Sequence, residues 1–278
     1  MGVLNLSLEP DGPMTDDITT PTAIQTAPVP APSEEEISTE DAMSIWDHLN
    51  ELRKRLFIGA LAMVITAGLS FIFAEQIIAI LAVPLGGMQY FLSIEVTENL
   101  GVFMRVSLLS GFIFALPIVL YEVLAFIVPG LTDQERRWVY LSIPFATILF
   151  LTGVAFTYFV MLPTAIPFLI SFLGIKTTPR PSVYIDFVTG LMFWVGVVFE
   201  MPLVMFMLAK LGIVKASFLL KGWRYALVII GVASAVITPT SDPINMGILM
   251  VPLILLYFLS VGLAAIAGRN PTRVPKER

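Results

Sequence analysis

One short stretch before the first apolar segment carries both signs of charge. Glu51 is followed by a run of three basic residues, Arg53, Lys54 and Arg55, and His48, the chain's one histidine, precedes it by three residues. On a helix, side chains three and four residues apart share a face. One interpretation is that Glu51 pairs with Lys54 or Arg55, and the spacing alone leaves a binding role for this carboxylate equally open.

A second polar loop repeats this arrangement. Thr132 stands three residues before Glu135, which is capping-box spacing and predicts a helix start. That gives Glu135 a structural role. The same residue also places a carboxylate beside Arg136 and Arg137, at the same predicted membrane face as Glu51.

A third carboxylate, Glu200, falls inside an apolar segment. Inserting a charged residue near the centre of a bilayer costs about 2.5–3.5 kcal/mol, so such a residue faces a cavity or a polar partner. The alternative is a hydrogen bond that holds helices together. Pro202, two residues later, frees a helical carbonyl nearby. Glu122, near the end of another apolar segment, is predicted to snorkel to the boundary.

The elements that position these residues are apolar. The chain has 278 residues, of which 57% are hydrophobic and 13% charged, with a mean hydropathy of +0.88. A soluble domain has about 25% charged residues, so the composition indicates a polytopic membrane protein. The net charge of −5 comes from residues 1–47, which hold ten acidic and no basic residues.

Six apolar segments are predicted to be membrane-spanning helices, since a span needs about 20 apolar residues. They are 57–74, 105–128, 139–162, 186–209, 224–238 and 244–267. The fifth is short. Segments 75–83 and 165–173 are predicted to be short interfacial helices in structured caps on the outer face.

The lysines and arginines predict the orientation. Thirteen fall on the loops that share a side with the N-terminus and three on the opposite loops, so both termini are predicted to be cytoplasmic. The fold class is therefore an all-α membrane protein with six transmembrane helices, expected to form a concave, cupped bundle.

Three regions are predicted along the chain. Residues 1–43 form a disordered acidic tail that lacks the basic and apolar regions of a secretory signal. A helix is predicted to begin at Ser44, whose partner is Asp47. Residues 44–267 form the transmembrane domain and 268–278 a basic tail.

Several chemistries lack their motifs. The sequence contains no phosphate-binding loop and no nucleophile-elbow motif. One histidine and no cysteine make an ordinary zinc site a poor fit. We therefore predict no enzyme, no cofactor, no metal site and no nucleic-acid partner. Two alternatives stay open: a proton-coupled secondary transporter of a small solute that uses Glu200, and, ranked last, a membrane-embedded hydrolase.

Seven motifs, in order, resemble the TatC family, the multispanning receptor subunit of the twin-arginine protein translocase. They are "HLNELRKRL", "AVPL", "TENLGVFMRVSL", "FIVPGLTDQERR", "FTYFVMLP", "FEMP" and "TPTSDP". The resemblance covers roughly residues 44 to 267. It implies a receptor that binds twin-arginine signal peptides at its cytoplasmic face and helps export folded proteins, driven by the proton gradient.

The resemblance also implies site residues and partners. Glu51 and Glu135 would receive the two arginines, and the remaining signal-peptide residues would be His48, Leu49, Arg53, Phe126 and Arg136. Glu200 would be the intramembrane polar site, and the structural or partner-contact positions would be Pro84, Glu98, Pro202 and Asp242. The implied partners are single-span subunits of the TatA/TatB type in an oligomeric assembly, surrounded by lipid in the plasma (inner) membrane.

Overall fold

The computed structural model of the chain describes residues 34–127, 133–171, 174, 177–238 and 243–268, with side chains at 46, 49–126 and throughout the ranges from 136 on. The chain divides into two units, Met1–Trp46 and Asp47–Arg278. The described part of the first unit is the beginning of one helix. Everything discussed below lies in the second unit.

Every secondary-structure element in the described ranges is a helix. The α-helices are α1 (Glu34–Ala82), α2 (Glu98–Ile127), α3 (Asp133–Phe156), α4 (Leu162–Ile170), α5 (Pro181–Phe199), α6 (Met201–Lys210), α7 (Ala216–Lys221), α8 (Trp223–Ile237) and α9 (Pro243–Ala267). Two 3-10 turns, Val83–Leu85 and Met88–Tyr90, follow α1, and a π-helical turn, Thr157–Met161, joins α3 to α4.

Five of the helical stretches are long and apolar enough to cross a membrane. They are Leu49–Leu85, Glu98–Phe126, Arg136–Ile170, Pro181–Lys210 and Pro243–Ala267. The predicted fifth span corresponds to α8, which has 15 residues. Its length of about 22 Å is below the hydrocarbon thickness of about 30 Å. The prediction that this helix is short is confirmed, and its crossing of the membrane stays a prediction.

Several predicted boundaries are wrong. Helix α1 begins at Glu34, ten residues before Ser44, so part of the segment predicted to be disordered is helical. Segments 75–83 and 165–173 do not form separate interfacial helices. The first continues α1 and ends in the 3-10 turn at Pro84. Residues 165–170 of the second belong to α4, because the π-helical turn keeps the chain helical after α3. No proline separates the first segment from the rest of α1, and Pro163, just before the second, lies in the first turn of α4, where a proline is tolerated.

The fourth predicted span is two helices rather than one. Helix α5 ends at Phe199 and α6 starts at Met201, with Glu200 between them. The N–H of Glu200 donates to the carbonyls of Val197 and Val198. Pro202 has no N–H for the carbonyl of Val198, four residues earlier, and this explains the break.

Small residues let α5 pack closely on α3 in the centre of the bundle. A Cβ on Gly196 would lie 2.7 Å from the Phe150 ring, and one on Gly153 would lie 3.0 Å from the Cα of Gly196. Phe150 itself is buried. In a membrane, such close packing replaces the hydrophobic effect as the force between helices.

Helix α1 joins α2 at a second close approach. A Cβ on Gly111 would lie 2.6 Å from the backbone nitrogen of Ala67, and the hydroxyl of Thr66 donates to the Gly111 carbonyl at 2.8 Å. Elsewhere α1 is the least covered span: 17% of its most apolar window is buried, against 50% for Pro181–Lys210. The close approach at Gly111 therefore determines where the charged part of α1 lies against α2.

Candidate functional site

Glu51 pairs with Arg55 on the same face of α1. The Nε and Nη2 atoms of Arg55 both donate to Oε1 of Glu51, at 3.0 and 2.7 Å. The ion-pair interpretation of Glu51 is thus what the structure contains, with Arg55 rather than Lys54 as the partner. Because Glu51 is 31% exposed, its carboxylate also remains accessible to solvent.

Glu122 joins this pair from α2. Nη1 of Arg55 donates to Oε2 of Glu122 at 3.3 Å, and the Glu122 side chain is 11% exposed. That Glu122 lies at the membrane boundary stays a prediction, and the structure adds a partner, because its carboxylate accepts a hydrogen bond from an arginine 67 residues earlier in the chain. We call Glu51, Arg55 and Glu122 the Glu51 cluster.

The Glu51 cluster opens into a groove of about 530 Å³. The residues that line it are Asn50, Glu51, Lys54, Arg55, Ile58, Tyr121 and Glu122. The groove has charged, amide and aromatic walls, so it suits a ligand that combines a cationic head with an apolar stem.

Two stacked tyrosines connect this groove to the start of α3. The guanidinium of Arg136 lies 5.8 Å from the ring centre of Tyr140, within cation–π range. The Tyr140 ring stacks on that of Tyr121 at 5.6 Å, and Tyr121 lines the groove. These cation–π and ring-stacking contacts place the first turn of α3 next to the end of α2.

Glu135 lies in that first turn. Helix α3 begins at Asp133, the residue after Thr132, as the capping pattern predicts. The side chain of Glu135 and the residue Thr132 lie outside the described residues, so the capping contact and the position of the second carboxylate stay predictions.

The other predicted binding residues lie on α1 and α2, each within four residues of a member of the cluster. Leu49 is half-exposed, and the exposed Arg53 lines a second groove of about 690 Å³ along α1, beside Leu56 and Phe57. Phe126 is half-buried near the end of α2. His48 is helical, and its side chain lies outside the described residues.

Glu200 lies at the break between α5 and α6 with its carboxylate turned into the protein. Both oxygens are buried, and neither accepts a hydrogen bond from any residue that the structure describes. The alternative of a hydrogen bond between helices therefore fails within the described ranges. Pro202, the second residue of α6, is buried directly after it.

Glu98 has the densest set of contacts of the predicted residues. It begins α2, and it accepts hydrogen bonds from the Ser182 hydroxyl at 2.5 Å, the Ser182 N–H at 3.2 Å and the Ile94 N–H at 3.1 Å. Nε of Arg180 donates to it at 3.2 Å, and Nη2 of Arg180 reaches Glu95 at 2.8 Å. We call Glu95, Glu98, Arg180 and Ser182 the Glu98 cluster.

The Glu98 cluster fixes the start of α5. The hydrogen bond to Glu95, and then that to Glu98, raise the pKa of Arg180 above its ordinary value. Sequence reasoning gave no signal for this cluster beyond Glu98 itself, because Arg180 and Ser182 lie more than 80 residues from it. A second ion pair, Arg105 with Asp186, joins α2 to α5 below it.

Pro84 and Asp242 are the last two of the predicted site residues. Pro84 lies in the 3-10 turn that ends α1, before Gly86 at φ 106° and Gly87 at φ 116°, a backbone geometry that favours glycine. Asp242 lies outside the described residues. Among the described residues, no group of three or more histidine, cysteine, aspartate or glutamate side chains could hold a metal ion.

Comparisons with known proteins point in one direction. The family model described as Sec-independent protein translocase protein (TatC) matches residues 47–252. The Sec-independent protein translocase protein TatC of Deinococcus radiodurans is 37% identical over 234 residues, which are 80% of this chain and 86% of that protein. The chloroplastic protein of the same name from Pisum sativum is 35% identical over 242 residues, 86% of this chain and 68% of that protein.

Solved structures agree with the sequence matches. A crystal structure of the twin-arginine translocase receptor TatC is similar with a TM-score of 0.65 at 35% identity, covering 80% of this chain and 100% of that one. A second crystal structure of that receptor, in DDM, has a TM-score of 0.68, also at 35% identity, and covers 78% of this chain and 99% of that one.

Proposed function

Because the chain belongs to the TatC family, we propose that it is the receptor subunit of a twin-arginine translocase and binds the paired arginines of signal peptides through the Glu51 cluster. As a member of a translocase family, the chain is a multi-pass membrane protein and not an enzyme. The secondary-transporter and hydrolase alternatives are set aside on the same ground.

One observation carries the proposal: Glu51 already binds a guanidinium through two hydrogen bonds, at the edge of an open groove. A guanidinium has several donors in a fixed plane and can hold a carboxylate at two points, whereas an ammonium is a point charge. The contact with Arg55 is therefore a template for how Glu51 would hold a signal-peptide arginine and reject lysine.

The second arginine is assigned to Glu135. The stacked rings of Tyr121 and Tyr140, with Arg136 above them, bring the first turn of α3 towards the groove that Glu51 lines. Leu49 and Phe126 offer apolar surface for the residues that follow the arginines, and His48 and Arg53 border the site. Arg53 and Arg136 would repel cations that cannot pair with a carboxylate.

The proposal places the Glu51 end of the bundle in the cytoplasm. The thirteen-to-three distribution of basic residues supports this orientation, with both termini inside and the protein in the plasma (inner) membrane. Helix α8 would then be the sixth span, crossing a locally thinned bilayer. The cupped bundle stays part of the proposal.

Single-span Tat subunits are the proposed partners within an oligomeric assembly driven by the proton gradient. The buried carboxylate of Glu200, which no described residue hydrogen-bonds, supports a polar contact from such a helix. Pro202 shapes the break beside it. Pro84, Glu98 and Asp242 are assigned to the opposite face, as structural or partner-contact positions.

Binding of a synthetic twin-arginine signal peptide to the purified protein in detergent tests the proposal. We expect Glu51→Gln and Glu135→Gln each to weaken binding about tenfold or more, because the neutral amide loses the charge-assisted bonds. Replacing Arg-Arg by Lys-Lys in the peptide should cost at least as much.

Glu95→Gln is the matched control, since it neutralises an exposed glutamate at the opposite end of the bundle. Its affinity should stay within twofold of wild type. If wild type binds the Lys-Lys peptide as well as the Arg-Arg peptide, or if Glu51→Gln binds normally, the Glu51 cluster is not the receptor site.

A further inference from the structure

The proposed receptor carboxylate is not free. Two donors of Arg55 converge on Oε1 of Glu51, so a signal-peptide arginine that makes the same contact at that oxygen meets an arginine of the chain itself. The Arg55 side chain is 24% exposed, so it is anchored in the groove rather than extended into solvent. A ligand that binds Glu51 in the same way must first displace it.

Glu122, the second partner of Arg55, can keep Arg55 paired when it leaves Glu51. Arg55 donates one hydrogen bond of 3.3 Å to Glu122 and two shorter hydrogen bonds to Glu51. Glu122 is also the more buried of the two carboxylates, at 11% exposure against 31%. A buried carboxylate left without a partner is costly, so Arg55 is better retained at Glu122 than released to solvent.

We propose that Arg55 is an internal competitor for the arginine of the signal peptide: it occupies Glu51 in the free receptor and passes to Glu122 when the peptide guanidinium takes Glu51. This inference rests on the proposed function. The exchange conserves the number of carboxylate–guanidinium contacts, because one arginine enters as another is transferred. Glu122 is then a positioning residue that acts through Arg55 and does not touch the peptide.

The exchange sets a threshold for binding. A ligand must replace the two hydrogen bonds that the Arg55 guanidinium donates to Glu51. A single lysine or a loosely held cation gains too little binding free energy to displace Arg55. The groove that remains open beside the cluster, between Asn50 and Tyr121, gives the incoming side chain its approach. Weakening the internal contact should therefore strengthen binding of the peptide.

Affinities of the twin-arginine peptide for four variants test this inference. Arg55→Lys keeps the charge but loses the two-point contact, and we expect about three- to tenfold tighter binding. Glu122→Gln removes the carboxylate that would retain Arg55, and it should weaken binding of the peptide about threefold. In the Arg55→Gln background the further change Glu122→Gln should have no effect, because Glu122 acts only through Arg55.

Lys54→Gln is the charge control. Lys54 lines the same groove, so its loss measures how much any positive charge there repels the peptide. Arg55→Gln must strengthen binding more than Lys54→Gln does. Thermal denaturation of each variant in detergent verifies that it is folded, and the charge-conserving Arg55→Lys keeps the test valid should Arg55→Gln unfold.

The outcomes separate the two proposals. Suppose that Glu51→Gln weakens binding while Arg55→Lys and Arg55→Gln leave it unchanged or weaken it. Arg55 then forms a structural ion pair, so its role as a competitor is overturned while the receptor site at Glu51 stands. If Glu122→Gln weakens binding also without Arg55, Glu122 contacts the peptide and the transfer step is wrong. If Glu51→Gln has no effect, the receptor site itself fails.

Discussion

Two clusters at opposite ends of the bundle place one arginine between two glutamates, yet they differ in how fully their carboxylates are bonded. The Glu51 cluster contains Glu51, Arg55 and Glu122, and the Glu98 cluster contains Glu95, Glu98 and Arg180 with Ser182. Charge composition alone would assign both the same role.

The carboxylate of Glu98 is surrounded by donors. Two backbone N–H groups, two hydroxyls and a guanidinium point at it, and its side chain is 1% exposed. Among the residues that the structure describes, one side chain, Arg55, donates to Glu51, which opens to a groove. A buried carboxylate whose oxygens are fully hydrogen-bonded fixes structure, whereas an accessible carboxylate with a single partner can exchange that partner.

The largest effect is expected at the joint that holds the Glu51 cluster together. Gly111→Ala places a methyl group 2.6 Å from the Ala67 backbone nitrogen, so α1 must move away from α2. Overpacking costs about 1–3 kcal/mol or more, and Arg55 also loses its reach to Glu122. We expect a large loss of folded protein on size-exclusion chromatography and no measurable twin-arginine peptide binding.

Gly101→Ala is the control for that change. Gly101 lies on the same helix, and a Cβ there meets nothing within 4 Å. Alanine is the better helix former by about 1 kcal/mol, so this variant should be as stable as wild type or more so. Equal behaviour of the two variants would mean that the α1–α2 approach is not tight.

Next in size is the loss of the Glu98 carboxylate. Glu98→Gln replaces one acceptor oxygen by an amide that faces donors of Arg180, Ser182 or Ile94. We expect the midpoint of thermal denaturation to fall by about 5 °C, because buried donors are left without an acceptor. Peptide affinity, measured on the folded fraction, should stay within twofold.

Glu95→Gln sharpens this contrast. Glu95 is 64% exposed and accepts one bond from Arg180, so its loss should shift the midpoint by less than about 1 °C. If Glu98→Gln leaves the midpoint unchanged but abolishes peptide binding, the division into a structural and an exchanging cluster is wrong.

The sequence predicted the helical class and the short fifth helix, because these depend on composition and local spacing. It missed the partner of Arg55 on α2, since nothing in the residues around Glu122 indicates a contact 67 positions away. The contacts of Glu98 were missed for the same reason. Such pairings depend on helix packing, which one sequence does not display.

Helix boundaries failed for a different reason. Apolar segments mark where a helix meets lipid, whereas the helix itself continues until a proline, a glycine or a lost hydrogen bond stops it. Helix α1 therefore extends from Glu34 to Ala82, beyond both the start predicted at Ser44 and the end of the span predicted at residue 74. The break at Glu200 did have a local signal in Pro202, and its effect was underestimated.

A smaller effect than that of Glu98→Gln, and the most direct comparison, comes from making the same substitution in both clusters. In Arg180, Nε binds Glu98 and Nη2 binds Glu95, so the guanidinium bridges two carboxylates. A lysine ammonium is a single point and holds one of them, so Arg180→Lys should lower the denaturation midpoint by about 2 °C and leave peptide affinity unchanged. Arg55→Lys should do the reverse, tightening the peptide with a midpoint shift of under about 1 °C. If the two variants change the same property, the clusters share one role, and the bonding around the carboxylate does not decide which glutamate is exchangeable.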